Sequence, residues 1–318
     1  MKKKITVTND SNALTVTNGY RFLNIDLQAD WLRFLDVKPA TARNYFKAVK
    51  KFAAFCTARS INQPTTDNII DFKRFLLDTL APTSAQLYLT AVKLFFRFLD
   101  RQGIYKNVAD HVKGVKLSAE HHRDALSSDQ CRQVVARIDT STILGLRNRA
   151  IIALMMSCGL RSVEVARADV TDIESLQGMI FIRVQGKGRD DKAERVRLAP
   201  TVLQFINEYL DARGDRNGAL FQSTSARNRG QRLQTQSISR LTKAAFADAG
   251  IISPRITCHS CRHSFATNAL LNGVDIANVA MVLRHRSINT TQIYRHDIDR
   301  MTNTAELVVA DSIFGGMQ

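Results

Sequence analysis

Acidic residues are scarce in this chain. There are 29 Asp and Glu against 45 Lys and Arg in 318 residues, a net charge of +16. A surplus that large favours a polyanionic partner, and a phosphate backbone is the common one. Cysteine is also sparse: five residues, an odd number at irregular spacing, give no disulfide framework and fit a reducing cytoplasm. Long apolar runs are missing. The longest, AIIALMM at 150–156, is far too short to span a bilayer. The basic head MKKK is not followed by the apolar stretch of a signal peptide. No internal repeat or low-complexity block is present. These absences leave a soluble basic protein of about two domains, with 45% apolar residues to build its cores.

What is there begins with a polar, Thr/Asn-rich arm at 1–20. A helical region follows at 21–104. Leu27, Trp31 and Leu35 form one stripe, and Tyr45, Val49, Phe52 and Cys56 recur at helical spacing behind Pro39. TTDNIIDFKRFLLDTL gives a third helix. In the fourth, Leu87, Ala91, Leu94 and Phe98 are read as the buried phase, with Gly103 as its stop. Arg43, Lys47 and Lys50 line another face of the second helix, and Lys93 and Arg97 stack on the fourth. Such stripes are either plain solvated faces or, on so basic a chain, DNA contacts. Four helices of this size suit a small bundle.

Periodicity is lost at 105–125, which reads as a linker. Ser127 or Ser128 then caps a new helix, and the mostly apolar TILGLRNRAIIALMMSC stops at Gly159 as the core of a second domain, 126–300. MIFIRV and RVRL flank GKGRDD and read as a β-hairpin inside this helical domain. More helices are expected from Pro200 onward. The predicted fold is thus mainly α with a small β-hairpin or sheet in the second domain. The tail, 301–318, carries no Lys or Arg; it has Glu306, Asp311 and the apolar Leu307, Val308, Ile313 and Phe314. A tail of that kind packs on its own domain or on a neighbour rather than on DNA.

The segment CHSCRH invites a zinc reading: Cys258 and Cys261 have one ligand spacing, His259 and His263 the other. The two pairs are interleaved on one short segment, so few backbones aim all four at one ion, and no metal site is assigned. A helix start with buried thiols accounts for the cysteines but not for the histidines and the arginine.

Those groups belong to a larger set. Arg161 follows a helix stop, Lys187 sits between two glycines at a hairpin tip, and His259, Arg262, His285 and Tyr294 follow. With no obligate carboxylate cluster, this is a poor set for Mg²⁺ and a good one for a phosphodiester. Two guanidiniums can fork onto the non-bridging oxygens and offset the charge of a pentacoordinate transition state. His285 can add a hydrogen bond. A Tyr hydroxyl near cations becomes a usable nucleophile and forms a phosphotyrosine. His259 is placed to assist proton transfer at the tyrosine, and Lys187 to protonate the leaving 5′ oxygen. The covalent link stores the energy of the broken bond, so rejoining needs no ATP and no cofactor. Structural alternatives stand beside these roles. Arg161 could cap a helix end, Glu164 either orients Arg161 or is a surface acid, and His263 is a structural hydrogen-bonder or a support for the site. Lys192 and Arg189 compete with Lys187, Tyr294 could be a core aromatic, and His296 has no assigned role.

In order, GLRSVEV, GKG, HSCRH, LRH and IYRH resemble the tyrosine site-specific recombinases, the phage integrase family, in a Xer-like form. Two positions depart from the family pattern: Cys261 stands where leucine is usual, and Arg284 where the pattern has glycine. The resemblance implies a SAM-like core-binding domain and a catalytic domain closing on duplex DNA as a C-shaped clamp. It also implies strand cleavage to 3′-phosphotyrosine, a four-way junction, and a homotetramer on synapsed recombination sites that is a monomer or dimer when free. In that family the C-terminal segment often docks on a neighbouring protomer. The expected location is the cytoplasm, at the bacterial nucleoid. A type IB topoisomerase-like relaxing enzyme is the rival activity, and a non-catalytic DNA-binding regulator the rival class.

Overall fold

The computed structural model describes residues 25–117, 124–186, 191–285 and 287–315. The 1–20 arm, Lys187 and Arg189, and the side chain of His296 lie outside what is described. The chain divides into two compact units, 1–120 and 121–318.

The first unit is a bundle of α1 (Ile25–Leu35), α2 (Pro39–Ala58), α3 (Thr66–Thr79) and α4 (Pro82–Arg101). Pro39 and Pro82 start their helices, where a missing N–H costs nothing. Thr65 and Asn68 cap α3 reciprocally. The core is aromatic: Trp31 meets Phe95 edge-on at 5.1 Å, and Phe52 meets Phe72 at 5.0 Å.

Two expectations need correction here. In α4 Ala91 and Phe98 are buried as expected, but Leu87 is exposed and Leu94 half-buried; Ala85, Leu89, Val92, Phe95, Phe96 and Leu99 complete the buried face. Its apolar residues are dense enough from Leu87 to Leu99 that more than one stripe fits 3.6 residues per turn, and the partner helices choose among them. The stretch after α4 is also no free linker over its first half. Tyr105, Ala109 and Val112 are buried in the first unit's core, and the Tyr105 hydroxyl donates to Pro64 O at 2.9 Å. Lys73 donates to the carbonyls of Lys113 and Gly114, and Lys93 to that of Val112 at 2.7 Å.

The second unit opens with α5 (Ser128–Ala136), capped by Ser127, and α6 (Ile143–Cys158). Helix α6 is apolar nearly all round because later helices pack on several of its sides. It ends at Gly159, whose φ of 59° is left-handed. A side chain there would also collide with Leu283 and Phe265, so glycine is required twice over. The short α7 (Ser162–Arg167) leads through a 3₁₀ turn into an antiparallel sheet of β1 (Ile173–Leu176), β2 (Met179–Val184) and β3 (Glu194–Arg197), in that order. Strands β2 and β3 are the expected hairpin. β1, which pairs Ile173 with Ile182, is an addition that four residues of IESL did not announce. Then come α8 (Pro200–Arg213), α9 (Thr235–Asp248), α10 (Cys258–Leu271), α11 (Ile276–Leu283), α12 (Asn289–Thr302) and α13 (Ala305–Phe314).

Among the described residues no helix is long and apolar enough to cross a membrane. Helix α13 buries nothing: Leu307, Val308, Val309, Ile313 and Phe314 are 55–70% exposed.

Candidate active site

The site forms where the ends of α6 and α11 meet the starts of α7, α10 and α12. Gly159 turns the chain so that Arg161 becomes the N-cap of α7. Three residues on, Glu164 is 1% exposed. Its Oε2 accepts the Arg161 backbone N–H and its Oε1 the Arg161 Nη1, both at 2.8 Å. The choice left open for Glu164 is thereby resolved: it is a buried partner of Arg161, not a surface acid. Arg161 keeps 20% of its side chain exposed, so the guanidinium is held on one edge and accessible on another.

Arg262 comes from the second turn of α10, 5% exposed. Its Nη1 donates to Gly159 O at 2.7 Å and its Nη2 to Leu283 O. Two of its five N–H groups thus tie the end of α6 to the end of α11, a structural role beside the expected phosphate contact. Burial first, then the neighbouring Arg161 and Arg284, pull Arg262 down to about 9; it remains a cation at neutral pH. Tyr294 lies within electrostatic reach of this guanidinium.

His285 follows the turn after α11. Its Nδ1 is 2.7 Å from Thr291 Oγ1, and burial, then Arg262, Arg161 and Arg284, push its pKa down to about 4. With Thr291 as the donor of this bond, the neutral ring carries its proton on Nε2, which is then a donor. Thr291, fully buried, escaped the sequence reading. The signal was its place three residues before Tyr294, on the same face of α12.

Tyr294 is 8% exposed and packs with Ala266, Val279 and Leu283. Its ring stacks with His285 at 6.4 Å and receives the edge of His263 at 4.6 Å. The tyrosine therefore lies beside His285 and His263 and within electrostatic reach of Arg262 in its own chain. His263 is the imidazole that supports its ring, while His259 is exposed in the first turn of α10. Cys258 and Cys261 point into the core; Cys258 contacts Met155 and Thr242, and burial raises both thiols. They pack as small hydrophobes.

Lys187 lies outside the described residues. Of its competitors, Lys192 is committed elsewhere: its ammonium binds Asp169 Oδ2 at 2.7 Å and also Asp172. Asp169 is partly buried, yet hydrogen bonds from Lys192 and Arg232 bring its carboxyl below the usual range. In the first unit Arg43, Lys47, Lys50 and Arg97 are exposed, but Lys93 is half-buried on Val112 O.

Comparison with known proteins agrees with this geometry. Residues 27–104 match the phage integrase N-terminal SAM-like domain, and residues 124–301 match the phage integrase family. The tyrosine recombinase XerD of Lacticaseibacillus casei is 33% identical, over 85% of this chain and 93% of that one. In fold, the chain resembles the XerH site-specific recombinase bound to its palindromic difH substrate (TM-score 0.72, 22% identity, 88% of this chain and 83% of that one). It also resembles a lambda integrase tetramer bound to a Holliday junction (TM-score 0.66, 16% identity, 85% and 76%). With two arginines on one buried glutamate, a neutral histidine and a tyrosine assembled in one unit, and both units matched in order, the chain belongs to the phage integrase family, the tyrosine site-specific recombinases.

Proposed function

We propose that this recombinase cleaves and rejoins DNA at specific sites through a 3′-phosphotyrosine. The observation that carries the reading is the convergence of Arg161, Arg262, His285 and Tyr294 around one small region of the second unit. The Tyr294 oxygen attacks the phosphorus, and the phenolic proton leaves toward solvent through His259. The bond to the 5′ oxygen breaks, and Lys187 protonates that oxygen. The P–O bond to tyrosine replaces the P–O bond to the 5′ oxygen, so the phosphodiester energy is kept and ATP is not needed. Arg161, Arg262 and His285 Nε2–H hold the equatorial oxygens through the transition state. Replacing the bridging 5′ oxygen by sulfur gives a leaving group that needs no acid, so it should rescue Lys187→Ala; failure to rescue removes Lys187 from that role.

Duplex DNA recombination sites are the proposed partner, bound by both units. The exposed Arg43, Lys47, Lys50 and Arg97 in the first unit supply phosphate contacts there. Four protomers act on two synapsed sites through a four-way junction. The lambda integrase tetramer on a Holliday junction supports that count, and the uncovered apolar face of α13 supports docking between protomers. The five free thiols fit work in a reducing cytoplasm, at the nucleoid.

A nicked suicide duplex tests the chemistry. The enzyme should form a protease-sensitive covalent adduct that Tyr294→Phe abolishes, and sequencing the trapped DNA gives the target. Supercoil relaxation by a monomer at random sequence, without two-site recombination, would instead indicate a topoisomerase-like enzyme, the less favoured reading.

A further inference from the structure

Residue 284 lies between the last residue of α11 and His285. Its backbone is left-handed, φ 55° and ψ 46°, the conformation in which a helix end favours glycine because a Cβ is crowded there. The integrase pattern noted above has glycine at this position, and this chain has arginine. A long side chain in that conformation persists only where its surroundings hold it.

Those surroundings are specific. Arg284 is 7% exposed at its side chain. Nη1 donates to Val282 O at 2.6 Å, and Nη2 donates to Glu164 Oε2 at 2.7 Å, across 120 residues of sequence. The other Glu164 oxygen holds Arg161 Nη1. One buried carboxylate thus joins the start of α7 to the turn that carries His285. Capping of α11 accounts for the Val282 bond. It accounts neither for the Glu164 bond nor for the burial of Nε, which has no partner among the described residues.

We propose that Arg284 is a positioning residue for strand cleavage: sharing Glu164 with Arg161, it fixes the Arg161 guanidinium against the His285 turn and adds a third fixed positive charge to the phosphate cradle. The proposal rests on the recombinase reading of this site. Arg161, Arg262 and Arg284 face His285, with Glu164 as the one carboxylate among them; Thr291 and Tyr294 come from α12 and His263 from α10. Every guanidinium in that ring disfavours a protonated His285. The neutral ring, anchored on Thr291, keeps Nε2–H for the phosphate.

Two substitutions in the full-length protein separate positioning from capping. Arg284→Gly relieves the backbone but removes the charge and the Glu164 bond. Arg284→Lys keeps a charge and keeps the strained backbone. Each is compared with the unaltered protein for melting temperature, for single-turnover adduct formation on a pool of nicked duplexes of randomised sequence, and for the His285 imidazole midpoint by NMR. Expected for Arg284→Gly are an unchanged or higher melting temperature, a rate lower by about ten-fold or more, and a His285 midpoint rising modestly from about 4, since burial, Arg262 and Arg161 still depress it. Arg284→Lys should stay within about three-fold in rate, with its midpoint near that of the unaltered protein. A purely capping role gives the opposite ranking, glycine at or above the unaltered rate and lysine below it, with the midpoint unmoved; that result overturns the proposal. Should the unaltered protein form no adduct at all, the recombinase reading fails and the positioning role with it. Should it form adduct while Arg284→Gly does so equally fast, only the positioning role fails.

Discussion

The edge of the His263 ring meets the face of Tyr294, with centroids 4.6 Å apart and planes at 81°. Both side chains are buried, and Thr267 Oγ1 lies 3.4 Å from His263 Nδ1. An aromatic pair of this geometry contributes about 0.5–1.5 kcal/mol beyond the area it buries. His263 therefore sets the Tyr294 ring by contact, a role that carbon can fill. His263→Phe should keep most covalent adduct formation on a nicked duplex, while His263→Ala should lose about ten-fold or more with DNA binding intact. Equal losses in both variants would show that a ring nitrogen, not the contact, matters.

The depressed pKa of His285 makes stability depend on pH. Unfolded, the ring titrates near 6.5, and folded near 4. Between those values the unfolded chain binds more protons, so stability rises with pH across that window. The contribution is full above about 6.5 and is lost as pH falls through about 4. Because the ring is only half-buried, its size is on the order of 2 kcal/mol rather than the full shift. Urea denaturation at pH 4.5 and 7 should show this difference, and His285→Gln should remove most of it. An identical pH slope in the variant would place the acid sensitivity elsewhere.

How much of this was legible depends on what each residue touches. Local sequence carried the capped start at Ser127, the stop at Gly159 and the β2–β3 hairpin, because each depends on neighbours a few residues away. The order of GLRSVEV, HSCRH, LRH and IYRH brought Arg161, Arg262, His285 and Tyr294 to one list, and the fold brings them to one place. What was hidden is long-range. Arg262 spends two donors on Gly159 and Leu283 carbonyls, and Arg284 reaches Glu164. Neither partner is coded by spacing. The reading of α4 was half right for the same reason: Ala91 and Phe98 are buried, but where apolar residues are dense only tertiary contact decides that Leu87 stays out.

Lys93 shows how a basic stripe divides. Its ammonium donates to Val112 O and helps seat the segment after α4 on the first unit's core. Lys93→Ala should therefore destabilise the protein by about 1–2 kcal/mol in chemical denaturation while leaving the salt dependence of DNA binding nearly unchanged. Arg43→Ala, Lys47→Ala and Lys50→Ala should do the reverse, each lowering the slope of log affinity against log salt by about one. A slope change in Lys93→Ala with stability intact would return that lysine to the DNA-binding face.

Helix α13 makes the last test. Its apolar residues Leu307, Val308, Ile313 and Phe314 are all more than half exposed, and the segment 301–318 has acids but no Lys or Arg. A face like this gains free energy only by being covered, at about 25 cal/mol for each Å² of apolar surface removed from water. Repulsion from phosphate keeps it off DNA, which leaves another protein surface. If that surface belongs to a neighbouring protomer on synapsed DNA, Leu307→Asp with Phe314→Asp should leave the melting temperature of the free protein unchanged. It should also preserve binding to a single site and strongly reduce slow-migrating multi-protomer complexes on paired sites. A fall in melting temperature of several degrees in the free protein would mean instead that α13 packs on its own chain in solution, and the docking role would be withdrawn.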